Sequence, residues 1–158
     1  MRPTPTAPGA PRLDHVGLTV PNLDEAVAFF AEAFGASVVF RLPRPEPGSD
    51  TQAGRLGADA SAHFALAMLD LGGGRVELLQ WWSPRPQGDE PAPDVRGGSH
   101  VAVEVSDVGA TLERLRAHPG VRIIGEPVRF PPADTPGLTN AFALTPWGSL
   151  LEILSWDP

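Results

Sequence analysis

The chain contains an internal repeat, and such a repeat constrains the architecture because each copy must build the same local structure. The segment HVGLTVPNLDEA, which begins at His15, matches HVAVEVSDVGAT, which begins at His100. Further along, VELLQW, which begins at Val76, matches LEILSW, which begins at Leu151. The repeat therefore predicts two similar modules. It also brings a histidine and a glutamate to matching places in each: His15, Glu77, His100 and Glu152.

Each copy has the residue pattern of one strand, one helix and three further strands. Apolar residues alternate over 12–20 as in a strand. Asn22 with Glu25 three residues later is typical of a helix N-terminus, and Gly35 is typical of a helix C-terminus. Periodicity and turn residues predict further strands at 36–41, 63–71, 75–82, 100–105, 121–125, 138–144 and 149–156, with a second helix after Asp107. The sequence predicts an α+β fold of two tandem β-α-β-β-β modules.

Composition divides the chain into four segments. Residues 1–11 are proline-rich and are expected to be a disordered tail, residues 12–82 form the first module, 83–98 a linker and 99–158 the second module. A total of 158 residues suits one domain built from both modules. The loop over 42–62 is unusually long, which is more often functional than accidental, and a second proline-rich loop is predicted over 126–137.

The composition also excludes several classes of chemistry and partner. The chain has no cysteine, and all 12 of its basic residues are arginine, so thiolate and Schiff-base chemistry are excluded. A net charge of −7 argues against nucleic acid and anionic membrane surfaces as partners. The N-terminal segment lacks the apolar core of a signal peptide, so a cytoplasmic protein is expected. The expected partner is a small molecule.

The four repeated polar residues stand in strands that should be apolar. The strand SLLEILSW is so apolar that it is expected to be buried on both faces. The charge of Glu152 within it is then costly unless an arginine, a shared proton or a metal ion compensates it. Taken singly, a strand histidine is usually a satisfied core residue and a glutamate an edge charge. Their duplication favours a metal, because neutral imidazole and carboxylate suit divalent first-row ions.

Four stretches resemble the vicinal oxygen chelate superfamily, which includes glyoxalase I, methylmalonyl-CoA epimerase, extradiol dioxygenases and the bleomycin- and fosfomycin-resistance proteins. They are LDHVGLTVPNLDEAVAFFAEAFGA, RVELLQW, SHVAVEVSDV and PWGSLLEIL, and the resemblance covers residues 12–157. It implies a cup-shaped mixed sheet around one divalent metal ion (Zn, Ni, Co, Mn or Fe) with the ligands His15, Glu77, His100 and Glu152. The ligand set resembles that of glyoxalase I; methylmalonyl-CoA epimerases carry Gln where this chain has Glu77.

The resemblance implies a metal-dependent isomerase, epimerase or lyase that abstracts a proton next to a carbonyl through a metal-chelated enediolate. Four protein ligands leave two positions of an octahedral ion for vicinal substrate oxygens. Glu152 is expected to be the catalytic base, with Glu77 as the second acid/base on the opposite side. The ending TPWGSLLEILSW resembles superfamily members of secondary metabolism, some of which are cyclitol-ketone epimerases.

Two alternatives stay open at this point. A ferrous extradiol-type dioxygenase would use the positions of His15, His100 and Glu152, but Glu77 would occupy a coordination site that such an enzyme needs. A non-catalytic small-molecule binding or resistance protein is the other alternative, although such proteins usually lack the full ligand set. Relatives are often dimers, so a homodimer is the assembly to test.

Three further residues are candidates for the substrate pocket. His63 begins a predicted strand on the same face as Ala65 and Ala67. Alignment of the two copies matches Ala65 and Ala67 with Asn140 and Phe142, which predicts a polar contact and an apolar wall. No organic cofactor is predicted.

Overall fold

A computed structural model describes residues 12–46, 53–131 and 135–156. The predicted disordered tail over 1–11 lies outside these ranges, as does the 47–52 part of the long loop. The chain divides into two compact units, Met1–Pro84 and Arg85–Pro158. None of the helices within the described ranges is long and apolar enough to cross a membrane.

The first unit is one helix and a four-stranded sheet. Its elements are β1 (Val16–Thr19), α1 (Leu23–Phe34), β2 (Ser37–Leu42), a 3-10 turn (Ala53–Leu56), β3 (His63–Leu71) and β4 (Gly74–Trp82). The strand order is β1-β4-β3-β2, with β1 parallel to β4 and the other neighbours antiparallel. β4 is therefore a central strand, and its parallel neighbour is the strand that follows His15.

The second unit repeats the same order. Its elements are β5 (His100–Glu104), α2 (Val108–Ala117), β6 (Arg122–Arg129), β7 (Leu138–Leu144) and β8 (Leu150–Trp156). The sheet order is β5-β8-β7-β6, with β5 parallel to β8. The predicted α+β fold of two β-α-β-β-β modules is confirmed.

Each helix covers one face of its own sheet. In the first unit Phe30 of α1 is fully buried, as are Leu78 and Ala67 of the sheet, and α1 contacts β3 and β4. In the second unit Leu115 of α2 and Ile153 of β8 are fully buried. Because side chains alternate along a strand, Glu77 and Glu152, which neighbour buried Leu78 and Ile153, project from the face that the helix does not cover.

Helix α1 begins and ends as its sequence predicts. The Asn22 side chain accepts hydrogen bonds from the backbone N–H groups of Asp24 and Glu25, at 3.1 and 3.2 Å, and donates one to the Glu25 carboxylate at 2.9 Å. At the other end Gly35 adopts φ 71°, where its N–H closes the last turn onto Ala31. A residue with a β-carbon rarely adopts that φ.

Replacement of Asn22 by Ala is expected to lower the free energy of unfolding by about 1 kcal/mol, because two N–H groups of the first turn lose their acceptor. Urea unfolding measures the change. The Glu113→Ala variant of α2 is a control, because its carboxylate is exposed and pairs with Arg116 within the helix. An Asn22→Ala variant as stable as this control would contradict the capping role.

Two predicted boundaries are wrong. β1 begins at Val16 and not at residue 12, so His15 lies directly before the strand. β6 continues to Arg129 through part of the predicted loop over 126–137. The sheet tolerates Pro127 there because β6 is an edge strand and its pairing with β7 is irregular between Ile124 and Val128, where a missing N–H breaks no ladder.

Candidate metal centre

The first unit brings His15 and Glu77 together. β1 and β4 run parallel with Gly17 opposite Glu77, so the residue that precedes β1 lies close to the carboxylate. His15 Nε2 is 3.7 Å from Glu77 Oε2, and the side chains are 37% and 21% exposed.

Asp14 fixes the orientation of the His15 ring. His15 Nδ1 lies 2.8 Å from Asp14 Oδ1, and since an ionised carboxylate can only accept, Nδ1 carries the proton of this hydrogen bond. That bond, together with the charges of Arg75 and Arg12, holds the pKa of Asp14 below its ordinary value against the opposing effect of desolvation. In the neutral imidazole the lone pair is then on Nε2, the nitrogen that faces Glu77.

The second unit repeats the pair with His100 and Glu152. β5 and β8 are parallel with Ala102 opposite Glu152, and His100 Nε2 lies 3.3 Å from Glu152 Oε2. The Glu152 side chain is 15% exposed and that of His100 is 47% exposed. The other oxygen of the carboxylate, Oε1, accepts a hydrogen bond of 2.6 Å from the Asn140 side-chain amide.

The expectation that the strand around Glu152 is buried on both faces is wrong. Leu151, Ile153 and Ser155 are buried while Leu150, Glu152 and Leu154 are partly exposed, because α2 covers only one face of the sheet. The carboxylate keeps access to solvent or ligand. Its charge therefore does not by itself demand a metal, and the case for a metal depends on the donor atoms.

Both pairs have donor atoms that suit a metal ion. Two ligand atoms bound about 2.1 Å from one metal at neighbouring positions lie about 3.0–3.4 Å apart, which brackets the separation of His100 and Glu152 and is slightly shorter than that of His15 and Glu77. In the first unit an unprotonated Nε2 faces a carboxylate oxygen, and a cation between them would satisfy both acceptors. Within neither unit do the described residues bring three or more potential ligands together.

A cavity of 740 Å³ lies in the second unit beside His100. Phe142 forms one wall, with its ring centroid 6.2 Å from that of His100 and nearly perpendicular to it. The remaining walls are mainly apolar and come from the sheet and the linker; they include Ile124, Leu144, Leu150, Pro91 and Pro93. Phe142, which the sequence predicts as a wall of the substrate pocket, lines this cavity, and Arg122 adds a cation to the lining.

The linker contribution was not foreseen from the sequence. Glu90 accepts a hydrogen bond of 2.9 Å from Ser149 Oγ, and Ser149 in turn accepts one from Trp147. This contact holds the segment that contains Pro91 and Pro93 against the turn before β8. Proline-rich composition indicated only a spacer, and no local pattern signals that Glu90 has a partner 59 residues away.

Asn140 lies on the Glu152 face of its sheet, but its alignment with Ala65 is wrong. The ladders pair Phe142 with Glu152 and Met68 with Glu77, so Met68 is the counterpart of Phe142, and Leu66 is the counterpart of Asn140. The repeat was aligned one residue out of register in this strand, which exchanges the two faces. The side-chain amide of Asn140 contacts the Glu152 carboxylate and was predicted to contact substrate.

His63 lies on the other face from Glu77. It pairs with Trp82, two residues beyond Gln80, whose side chain accepts a hydrogen bond from the first residue of α1 at 2.9 Å. The face that His63 shares with Ala65 and Ala67 is therefore the helix-covered face, which removes the ground for placing His63 in a pocket with Glu77. Its ring stacks on Trp82 at 5.6 Å, and Arg44 lies 4.5 Å from the same indole.

Comparison with known proteins identifies epimerases among the relatives of this chain. A relative from Actinomyces, a 2-epi-5-epi-valiolone epimerase, is 39% identical over 149 residues, which is 94% of this chain and 81% of the relative. The human mitochondrial methylmalonyl-CoA epimerase is 28% identical over 75% of this chain; the chain spans 60% of that protein's length.

Solved structures share the fold. A glyoxalase family protein from Bacillus cereus superposes with a TM-score of 0.76 at 24% identity, covering 95% of this chain and 98% of that one. The fosfomycin resistance protein of Listeria monocytogenes, solved with Mn(II) and sulfate, superposes with a TM-score of 0.56 at 16% identity over 92% of this chain and 93% of that one. In addition, a family model built from related sequences, that of the glyoxalase/bleomycin resistance protein/dioxygenase superfamily, matches residues 12–153 of this chain. The chain belongs to the glyoxalase/bleomycin resistance protein/dioxygenase superfamily.

Proposed function

We propose that this protein is a metal-dependent epimerase that moves a proton next to the carbonyl group of a small, oxygen-rich substrate. The observation that carries the proposal is the repeated pair of a histidine Nε2 and a glutamate Oε2, 3.7 Å apart in one unit and 3.3 Å in the other. Relatives that are epimerases support the reaction class over the lyase and dioxygenase alternatives.

The proposed metal site uses one histidine and one glutamate from each unit: His15, Glu77, His100 and Glu152. Two carboxylates balance the charge of a divalent ion, and two neutral imidazoles complete a donor set that suits Zn, Ni, Co, Mn or Fe. The Mn(II) in the structure of the Listeria relative supports this class of ion. When bound, the ion would act as a Lewis acid that makes the C–H next to the carbonyl more acidic and stabilises the enediolate.

The base of the proposed reaction is one of the same residues. The chain has no cysteine, lysine or tyrosine, and both imidazoles are assigned to the ion, so the carboxylates of Glu77 and Glu152 are the proposed groups that accept a proton from carbon. Each keeps partial solvent exposure, so a proton taken from substrate can exchange with water. The reaction should therefore wash solvent hydrogen into the substrate.

The proposed substrate class is a cyclic polyhydroxy ketone, as the name of the Actinomyces relative suggests. The cavity beside His100 has a volume of 740 Å³, within the usual range of about 300–1,000 Å³ for small-molecule sites. Its apolar walls, such as Phe142 and Ile124, suit the C–H faces of a saturated ring.

Deuterium exchange tests the proposal. The protein is stripped with a chelator, reloaded with each candidate metal and incubated in D₂O with cyclic polyhydroxy ketones, open-chain α-hydroxyketones and 2-substituted thioesters. We expect deuterium to enter the carbon next to the carbonyl of a cyclic ketone only in the reloaded protein. Exchange that is unaffected by the chelator, or no exchange with any metal, would overturn the proposal. Cleavage of a catechol with consumption of O₂ would replace it with the dioxygenase function.

A further inference from the structure

The two glutamates are equivalent in the repeat but differ in what holds them. Both oxygens of Glu152 have a contact, because Oε1 accepts the hydrogen bond from Asn140 and Oε2 faces His100. Asn140 is only 8% exposed and belongs to the central strand β7, so its amide is a fixed donor. A carboxylate with a buried donor on one oxygen keeps one orientation.

Glu77 has no such donor. The counterpart of Asn140 in the first unit is Leu66, which is 6% exposed and has no polar side-chain atom. Within the described part of the chain, the Glu77 carboxylate has one polar contact, in which its Oε2 lies 3.7 Å from His15 Nε2. Because His15 Nε2 carries a lone pair and not a proton, neither oxygen of Glu77 has a protein donor there, and no hydrogen bond opposes rotation of the side chain.

A second difference lies across the parallel ladder. The residue opposite Glu77 is Gly17, whereas the residue opposite Glu152 is Ala102. A β-carbon at position 17 would stand 3.6 Å from Glu77 Oε2 and 3.5 Å from Leu79 Cδ1, which is ordinary contact. Glycine thus leaves the volume of one methyl group open beside Glu77, and the corresponding volume in the second unit contains the Ala102 side chain.

We propose that the repeat divides two tasks between its carboxylates: Asn140 keeps Glu152 in place as a ligand, while Glu77 is the carboxylate that moves to the substrate carbon and takes its proton. This assignment rests on the proposed epimerase function, and it reverses the sequence-based choice of Glu152 as the main base. Asn140 acts through Glu152 and is a positioning residue.

The proton balance of the assigned step is simple. The C–H bond breaks, its proton goes to Glu77, and its electron pair enters the C=C bond of the enediolate while the carbonyl oxygen takes the negative charge. Water then protonates the carbon from the opposite side, and the carboxylic acid of Glu77 returns its proton to the hydroxide that remains. The substrate leaves with inverted configuration and with hydrogen from solvent.

Two measurements on the whole chain test the assignment. One is the dissociation constant for Zn²⁺ or Mn²⁺, by competition with a chromophoric chelator, and the other is the rate of deuterium exchange at saturating metal. We expect Asn140→Leu to weaken metal binding about 10- to 100-fold while exchange at saturating metal falls less than about tenfold. Thr139→Val is the matched control on the same strand and should change neither quantity.

The reverse pattern is expected in the first unit. Glu77→Gln should lower exchange at least about 1,000-fold, more than it weakens metal binding, because the amide cannot accept the proton. Gly17→Ala should slow exchange about tenfold or more with unchanged metal affinity. Gly74→Ala is its control, because it lies at a strand end where a β-carbon would stand 3.9 Å from the Leu71 carbonyl oxygen, in ordinary contact.

The outcomes separate this inference from the proposed function. If the wild-type protein shows no metal-dependent exchange, the epimerase function itself is wrong. If the wild-type protein exchanges but Asn140→Leu loses exchange with metal affinity intact, Glu152 is the mobile base and the assignment is overturned. A Gly17→Ala variant that exchanges as fast as Gly74→Ala also overturns it.

Discussion

Replacement of His100 by Ala is expected to weaken binding of a divalent metal by more than about 100-fold, beyond the effect typical of a residue that only supports a ligand. His100 Nε2 is 3.3 Å from Glu152 Oε2, so its loss removes one of two donor atoms in the second unit. Deuterium exchange into substrate should fall at least about 1,000-fold, which is the upper range for loss of one group that stabilises an oxyanion. Metal competition and exchange in D₂O measure the two effects.

His118→Ala is the control for this variant. His118 is a histidine of the same unit that follows α2, and its ring contacts the neighbouring Pro119 carbonyl. It should bind metal and catalyse exchange as the wild type does. A His100→Ala protein with the metal affinity of His118→Ala would show that His100 is not a ligand and would remove the basis of the proposed centre.

Replacement of Phe30 by Ala is expected to lower the free energy of unfolding by about 3–5 kcal/mol, the usual range for truncation of a buried aromatic side chain. Phe30 is fully buried, and its ring packs edge-to-face with Phe29 at a centroid distance of 5.4 Å. The smaller side chain leaves a cavity under α1 that the surrounding sheet cannot fill. Urea unfolding of the metal-free protein measures this loss without a contribution from metal binding.

Phe40→Ala provides the comparison. Phe40 lies on the edge strand β2 and is 45% exposed, so its truncation should cost about 1 kcal/mol or less. Equal destabilisation by the two variants would contradict the placement of the hydrophobic core between α1 and its sheet.

Residues with strong local signals were predicted well. Asn22 and Gly35 mark the ends of α1, and His63 and Leu71 are the ends of β3, because capping residues, glycine turns and strand alternation act over a few residues. The repeat, which places polar residues in otherwise apolar strands, singled out His15, Glu77, His100 and Glu152. Each unit brings its own histidine and glutamate together.

Features that depend on pairing partners were predicted less well. The match of Ala65 with Asn140 failed because a strand has a period of two, so an error of one residue exchanges its faces. The contact between Glu90 and Ser149 joins residues far apart in the sequence, and composition alone hides it. The extension of β6 through Pro127 followed from its edge position, which becomes known only with the strand order.

Two modules in one chain can surround their equivalent carboxylates with different residues, which a symmetric dimer of single modules cannot do. A twofold axis makes equivalent residues identical, so both carboxylates of such a dimer would have the same neighbours. In this chain, positions 17 and 66 can change independently of positions 102 and 140, and they hold glycine and leucine where the second copy holds alanine and asparagine. Loss of symmetry in the chain is what allows two chemically identical side chains to have different neighbours, as the proposed division of tasks requires.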